Sequence, residues 1–147
     1  FTLPLDTKRT DIELSPDILV QSEETPRSDR HHSILIAEDV YENYFLLETL
    51  FGKQYQLYHA LNGQEAIDMF ETYHPDLILM DIKMPVMDGF EATRRIRTLS
   101  KTIPIIALTA FAFEREKEIA KQCEFTDYVV KPIDIKELKK LIAKVLA

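Results

Sequence analysis

From Ile34 onward the chain alternates short apolar runs with longer amphipathic stretches, and five rounds of this alternation can be counted. The apolar runs have the length of strands and centre on Leu35, Leu57, Leu79, Ile106 and Val129. The stretches between them repeat apolar residues at the spacing of a helix face. Strands that alternate with helices form βαβ units around a parallel sheet. The sequence therefore predicts an α/β domain with a five-stranded parallel sheet over residues 33–147.

The amphipathic stretches predict helices with different strength. The last is the clearest, because four apolar residues form one stripe opposite four lysines. In the third we expect Arg94, Arg95 and Arg97 to lie on a solvated face. The fourth, over residues 114–123, has few apolar positions, so little burial holds it and it could move.

The first 32 residues have a different character. Residues 6–32 are rich in polar side chains, include Pro16 and Pro26, and have no sustained apolar period. Such a composition is typical of a linker. A parallel α/β domain at residues 33–147 would therefore follow a linker at residues 6–32.

Composition narrows the possible functions. A net charge of −7 disfavours binding of this segment to nucleic acid, which needs a surplus of basic residues, or to a membrane surface. No apolar run is long enough for a membrane span and no signal peptide is visible, so we expect a cytoplasmic location. The single cysteine, Cys123, excludes an intramolecular disulfide and a cysteine-based zinc site, and we expect a buried or idle thiol. The histidines, including His59, are expected to be solvated.

Polar residues follow four of the predicted strands. Glu38 and Asp39 follow the first, Asp81 follows the third, Thr109 the fourth and Lys131 the fifth. The carboxyl ends of parallel strands meet at one edge, where open α/β sheets bind their ligands. The five side chains are therefore expected to gather at one rim.

This combination indicates chemistry on a phosphoryl group. Three clustered carboxylates repel one another, and Mg²⁺, which prefers oxygen ligands, would remove that repulsion with help from a backbone carbonyl near Lys83. Thr109 and Lys131 could balance the oxygens of a phosphoryl group in transfer. Asp81 is then the nucleophile that attacks phosphorus, and it needs no base because a carboxylate carries no proton to remove.

These residues resemble the receiver domains of two-component signalling. The likeness covers roughly Ser33 to Ala147 and includes the specific motif MDIKMPVMDG at residues 80–89. It implies a flavodoxin-like (βα)5 fold with strand order 2-1-3-4-5, the order that a chemotaxis receiver also has. It further implies Glu38 and Asp39 as the acidic metal pair and Asp81 as the phosphoacceptor.

The resemblance also assigns roles away from the acidic cluster. Thr109 is the switch hydroxyl, Lys131 the phosphate-binding lysine, and Tyr128 the switch aromatic whose ring turns inward when Thr109 moves toward the phosphate. The Lys131–Pro132 peptide is expected to be cis. Lys83 and Phe111 occupy the two positions that tune the lifetime of the phosphoryl group, and the bulk of Phe111 predicts slow self-dephosphorylation.

A second resemblance concerns residues 1–5, whose sequence FTLPL is similar to the last strand of a histidine kinase ATP-binding domain. It implies the receiver of a hybrid sensor kinase. Partners would then be a histidine kinase dimerisation domain, a histidine phosphotransfer protein or the attached kinase core.

Three other functions compete with this interpretation. A haloacid-dehalogenase-type phosphatase needs an acid two residues after its aspartate, where this chain has Lys83. An FMN carrier needs a phosphate-binding loop after the first strand, where the acidic residues from Glu38 to Glu42 would repel phosphate. A stand-alone or pseudo-receiver that binds partners without phosphorylation is the remaining alternative.

Overall fold

The computed structural model describes residues 32–110 and 114–147. Its strands are β1 (Ser33–Ala37), β2 (Gln56–Ala60), β3 (Leu77–Asp81), β4 (Ile105–Thr109) and β5 (Asp127–Val130). Its helices are α1 (Tyr41–Phe51), α2 (Gly63–Tyr73), α3 (Gly89–Leu99), α4 (Glu114–Gln122) and α5 (Ile135–Leu146). The predicted terminal strand at residues 1–5 and the predicted linker, apart from His32, lie outside the described residues.

The five strands form one sheet in the order β2-β1-β3-β4-β5, and every neighbouring pair is parallel. The predicted fold class and the order 2-1-3-4-5 are therefore confirmed. All five residues of β3 and of β4 are buried, as expected for strands covered by helices on both faces. The strand that ends in Asp81 is the central one of the five.

Alternate residues of each strand enter two separate cores. On one face, Ile34 and Ile36 of β1 pack in a cluster that includes Leu47 of α1 and Leu138 of α5. On the other face, Leu35 packs in a cluster with residues of α2 and α3, among them Phe70 and Ile96. This division follows from the two-residue period of a strand. It places α1 and α5 on one side of the sheet and α2 and α3 on the other.

Polar side chains cap the N-termini of three of the helices. Asn62 accepts a hydrogen bond from the amide of Glu65 before α2, and Asp88 accepts one from the amide of Glu91 before α3. Asp134 does the same for α5. Each cap satisfies an amide that the first helical turn leaves without a partner.

In residues 32–110 and 114–147, no helix combines the length and apolarity needed to cross a bilayer.

The prediction that Arg97 is solvated is wrong. Its side chain is only 6% exposed, and its guanidinium donates hydrogen bonds to the carbonyls of Ser100, Ile103 and Glu124 at 3.3, 2.7 and 2.9 Å. Burial lowers the pKa of Arg97 from its usual value. Three carbonyl oxygens replace the water that a buried guanidinium loses. Arg97 thus ties the end of α3 to the loop between α4 and β5.

The prediction of a buried thiol is confirmed, since Cys123 lies in the interior at the end of α4. Burial raises the pKa of this thiol, which keeps it protonated at neutral pH.

Candidate functional site

Four polar residues lie at the carboxyl edge of the sheet, because each one ends or directly follows a parallel strand. In the register of the sheet, Ala37 of β1 pairs with Met80 of β3, and Asp81 pairs with Leu108 of β4. Thr109 in turn pairs with Val130 of β5. The residues that follow these pairs in the chain are Glu38, Asp81, Thr109 and Lys131, and they therefore share one rim.

Lys131 lies between two buried carboxylates. Its Nζ is 3.3 Å from Oδ2 of Asp81 and 3.4 Å from Oε1 of Glu38. Asp81 is 5% exposed and Glu38 is 1% exposed, so water screens these charges weakly. Asp39 lies closer to solvent than either of them. Two buried carboxylates, those of Glu38 and Asp81, therefore share one ammonium group, and the Asp39 carboxylate lies nearer to solvent.

The three carboxylates are close enough to hold one cation. One oxygen each from Glu38, Asp39 and Asp81 lies within 4.8 Å of the others. In the described part of the chain, no other group of three acidic, histidine or cysteine side chains meets this spacing. A donor set made only of oxygens fits Mg²⁺ and is poorly suited to softer metals.

The protonation of Asp81 depends on this environment. Burial and the neighbouring Glu38 carboxylate raise the pKa of Asp81 to about 6, although Lys131 acts in the opposite direction. Burial is the larger cause, since it removes the water that would solvate the charge. At neutral pH Asp81 is therefore mainly ionised, as a nucleophile must be.

Backbone contacts fix Asp81 and Lys131 in place. The amide of Lys131 donates to the carbonyl of Thr109 at 2.7 Å, and the Lys131–Pro132 peptide is cis, as expected. After Asp81 the amide of Gly89 donates to the carbonyl of Ile82 at 2.8 Å. A Cβ atom at Gly89 would collide with the carbonyl oxygen of Asp81. Glycine is needed here because α3 begins in contact with the backbone of Asp81.

Thr109 and Tyr128 border the same small cavity. Its volume is about 10 Å³, room for one water, and its wall also includes Ile82, Phe90 and residues of α4. Tyr128 lies on β5 with its side chain partly open to solvent. The two residues that the sequence assigns to a switch are thus neighbours across β4 and β5.

The prediction that His59 is solvated is wrong. Its ring is partly buried on β2, and its Nε2 lies 2.8 Å from the carbonyl oxygen of Glu38. The period of the strand contained this information, because His59 shares a face with Leu57, which packs against the core. His59 is the residue near the acidic pair that the sequence interpretation missed.

Lys83 and Phe111 are the remaining two predicted site residues. Lys83 lies exposed in the turn that follows β3. Phe111 lies outside the described residues, in the short gap between β4 and α4.

Comparison with known proteins relates the chain to one family. Residues 34–143 match the family model of the response regulator receiver domain. Sporulation initiation phosphotransferase F of Bacillus subtilis is 34% identical over 117 residues, which cover 79% of this chain and 94% of that protein. Regulatory protein AtoC of Escherichia coli is 38% identical over 114 residues, which cover 77% of this chain and 25% of AtoC. The chain thus spans a quarter of the length of AtoC.

Solved structures agree with this relationship. The receiver domain of a sensor histidine kinase from Pseudomonas aeruginosa, with a magnesium ion coordinated in its active site cleft, is 34% identical with a TM-score of 0.74. The match covers 79% of this chain and 98% of that domain. The receiver domain of the response regulator Ssk1 of Saccharomyces cerevisiae, solved with the histidine phosphotransfer protein Ypd1, is 30% identical with a TM-score of 0.73, covering 78% of this chain and 88% of that chain.

Proposed function

This chain belongs to the response regulator receiver domains of two-component signalling, and from that premise we propose that it accepts a phosphoryl group on Asp81 in a Mg²⁺-dependent reaction. The observation that carries the proposal is the position of Lys131 Nζ, 3.3 Å from Asp81 Oδ2, beside three carboxylates whose oxygens lie within 4.8 Å of one another. This arrangement supplies a nucleophile, a cation site and a fixed positive charge within one pocket.

Glu38, Asp39 and Asp81, with a backbone carbonyl near Lys83, would hold the cation. Mg²⁺ in this place supplies positive charge that offsets carboxylate repulsion and stabilises phosphoryl oxygens. For one pair of unit charges at ~4 Å and an effective dielectric constant of about 20, the interaction is about 4 kcal/mol. Repulsion between buried carboxylates is thus large enough to require compensation.

The transfer step needs few protein groups. An ionised oxygen of Asp81 attacks the phosphorus of a phosphohistidine, the new P–O bond forms as the P–N bond breaks, and the imidazole leaves with the electron pair and takes up a proton. The ammonium of Lys131 and the hydroxyl of Thr109 would contact the phosphoryl oxygens. The product is an acyl phosphate on Asp81.

The response to this new charge would begin at Thr109. Movement of its hydroxyl toward the phosphoryl group enlarges the cavity that it shares with Tyr128, and the Tyr128 ring then turns inward. The cavity of about 10 Å³ is too small for a phenol ring, so the α4 residues that line it must also shift. The surface formed by α4, β5 and α5 is therefore the output face. Phosphorylation would shift the populations of the two conformations of this face, because the phosphoryl group interacts with them unequally.

The phosphodonor would dock on α1, whose exposed side lies next to Asp39. Tyr41 and Phe45 on this helix are 57% and 53% exposed, and their rings are in contact, with centroids 5.1 Å apart. Leu46 adds a third exposed apolar side chain. Exposed aromatic residues beside a reaction centre are typical of an interface. The donor would be a histidine phosphotransfer protein, a histidine kinase dimerisation domain, or the kinase core of the same polypeptide.

Membership of a hybrid sensor kinase is the finer part of the proposal. It rests on the likeness of residues 1–5 to a kinase strand and is consistent with the similarity to the receiver domain of a sensor histidine kinase.

Phosphorylation with acetyl phosphate and Mg²⁺ tests the proposal. The unaltered chain should gain the mass of one phosphoryl group, whereas Asp81→Asn should gain none. Asp68→Asn is the matched control, because this exposed aspartate of α2 lies away from the rim, and it should react like the unaltered chain. Equal labelling of Asp81→Asn would contradict the proposal, and no labelling of the unaltered chain would favour the pseudo-receiver.

A further inference from the structure

His59, on β2, contacts the backbone of Glu38, which follows the neighbouring strand β1. Its Nε2 lies 2.8 Å from the carbonyl oxygen of Glu38, and a carbonyl oxygen can only accept. Nε2 therefore carries a proton and is the donor of this hydrogen bond. The hydrogen bond joins a residue of β2 to the loop between β1 and α1.

The ring of His59 has little freedom to leave this position. It stacks on Tyr44 of α1 with centroids 3.7 Å apart and the two planes 1° from parallel. Tyr41 contacts it from a second side, at a centroid distance of 6.1 Å. Tyr44 is itself buried in the core between the sheet and α1. The donor atom is thus held by aromatic contacts as well as by its own strand.

The accepting carbonyl belongs to the peptide that joins Glu38 to Asp39. A peptide unit is planar, so a hydrogen bond to its oxygen also fixes the direction in which the chain enters Asp39. On the other side of Glu38, its own amide donates to the carbonyl of Ala60 at 3.0 Å. Both backbone polar groups of Glu38 therefore bind β2, and the carbonyl depends on the His59 side chain.

We propose that His59 is a positioning residue for the cation site, which fixes the Glu38–Asp39 peptide so that both carboxylates face the same ion. This inference rests on the proposed function, because it assumes that the acidic cluster binds Mg²⁺. Groups that orient metal ligands without touching the metal commonly change the affinity by about 10–100-fold when they are removed.

Calorimetric titration with Mg²⁺ separates the hydrogen bond from the packing of the ring. His59→Phe keeps a ring on Tyr44 and removes the donor, so we expect Mg²⁺ binding about tenfold weaker than in the unaltered chain. His59→Gln keeps an N–H group at similar reach and should bind within about threefold of the unaltered chain. His32→Phe is the matched control, because His32 is exposed at the start of β1, away from the rim, and it should bind normally.

Urea unfolding of each variant accompanies the titration, and His59→Leu replaces His59→Phe if the latter does not fold. Mg²⁺ binding by His59→Phe that equals the unaltered chain would overturn the inference, and so would a Gln variant as weak as the Phe variant. In both cases the proposed function would stand, because the unaltered chain still binds the ion. Absence of Mg²⁺ binding in the unaltered chain would instead overturn the cation site and this inference with it.

Discussion

The ammonium of Lys131 lies 3.3 Å from Asp81, yet the pKa of Asp81 is raised to about 6. Burial of the carboxyl and its contact with Glu38 together outweigh the attraction of one lysine. The pocket also places three carboxylates beside one ammonium group, so it holds more negative charge than its own cation balances. This excess would favour the binding of Mg²⁺ from solution.

Metal-free protein should lose stability as the pH rises toward neutrality and the Asp81 carboxyl ionises. The folded chain keeps the proton of Asp81 up to about pH 6, whereas the ordinary pKa is 3.8, so between these values the folded state binds more protons. The free energy of unfolding then falls as pH rises across this window, by about 3 kcal/mol. Asp81→Asn should lack this part of the pH dependence and be more stable at pH 7. Urea unfolding in EDTA measures both, and parallel pH profiles would contradict the prediction.

Phe45→Ser should slow phosphotransfer from a protein donor and leave reaction with a small donor unchanged. Loss of an exposed aromatic anchor of an interface is expected to reduce the transfer rate about tenfold. The measurement compares a phosphorylated histidine phosphotransfer protein with acetyl phosphate. Leu99→Ser is the control, since Leu99 is similarly exposed at the far end of α3. An equal effect with both donors would place the role of Phe45 in the folding of α1.

Phe111→Ala should lose the phosphoryl group faster than the unaltered chain. A bulky ring two residues after the switch hydroxyl would hinder the attacking water, and alanine would admit it. The decay of the acyl phosphate, followed after removal of the donor, measures the effect. An unchanged or slower rate would show that Phe111 does not limit access of water.

Arg97→Met should lower the free energy of unfolding by about 2–4 kcal/mol, because three carbonyl groups lose their donor in a buried place. Arg94→Met on the same helix should change it by less than about 0.5 kcal/mol, since its ion pair with Glu91 is exposed. Urea unfolding of both variants tests the contrast. Similar losses in the two variants would contradict the role of the buried hydrogen bonds of Arg97.

Thr93→Val should raise the free energy of unfolding by about 1 kcal/mol. The Thr93 hydroxyl is fully buried and has no hydrogen-bond partner among the described residues, so an apolar side chain of the same shape avoids its desolvation. Thr98→Val is the control, because the exposed Thr98 hydroxyl donates to the carbonyl of Arg95. Thermal unfolding should separate the two variants, and a loss of stability in Thr93→Val would contradict the prediction.

The sequence was sufficient for the fold because its signals are local and agree with one another. The buried runs around Leu79 and Ile106 have strand length, and the stripe on α5 has helix spacing. The convergence of Asp81 and Lys131 on one rim follows from parallel strands alone. The strand order, by contrast, was predicted from the resemblance to receiver domains and not from periodicity.

Arg97 and His59 were misjudged because residue type was given more weight than position. Arg97 lies four residues after the buried Thr93, on the inner face of α3, but its charge suggested solvent. His59 lies two residues after Leu57, on the face toward α1. In both cases the partner is a backbone carbonyl, and the sequence gives no sign of where such an oxygen will be left free.

The contact between Lys131 and Glu38 joins residues 93 positions apart in the chain. Neither half of the domain contains both groups, so neither half would form the complete cation site. Occupancy of this pocket consequently reports that the whole domain has folded, and saturating magnesium should protect every element from β1 to β5 against unfolding and proteolysis together.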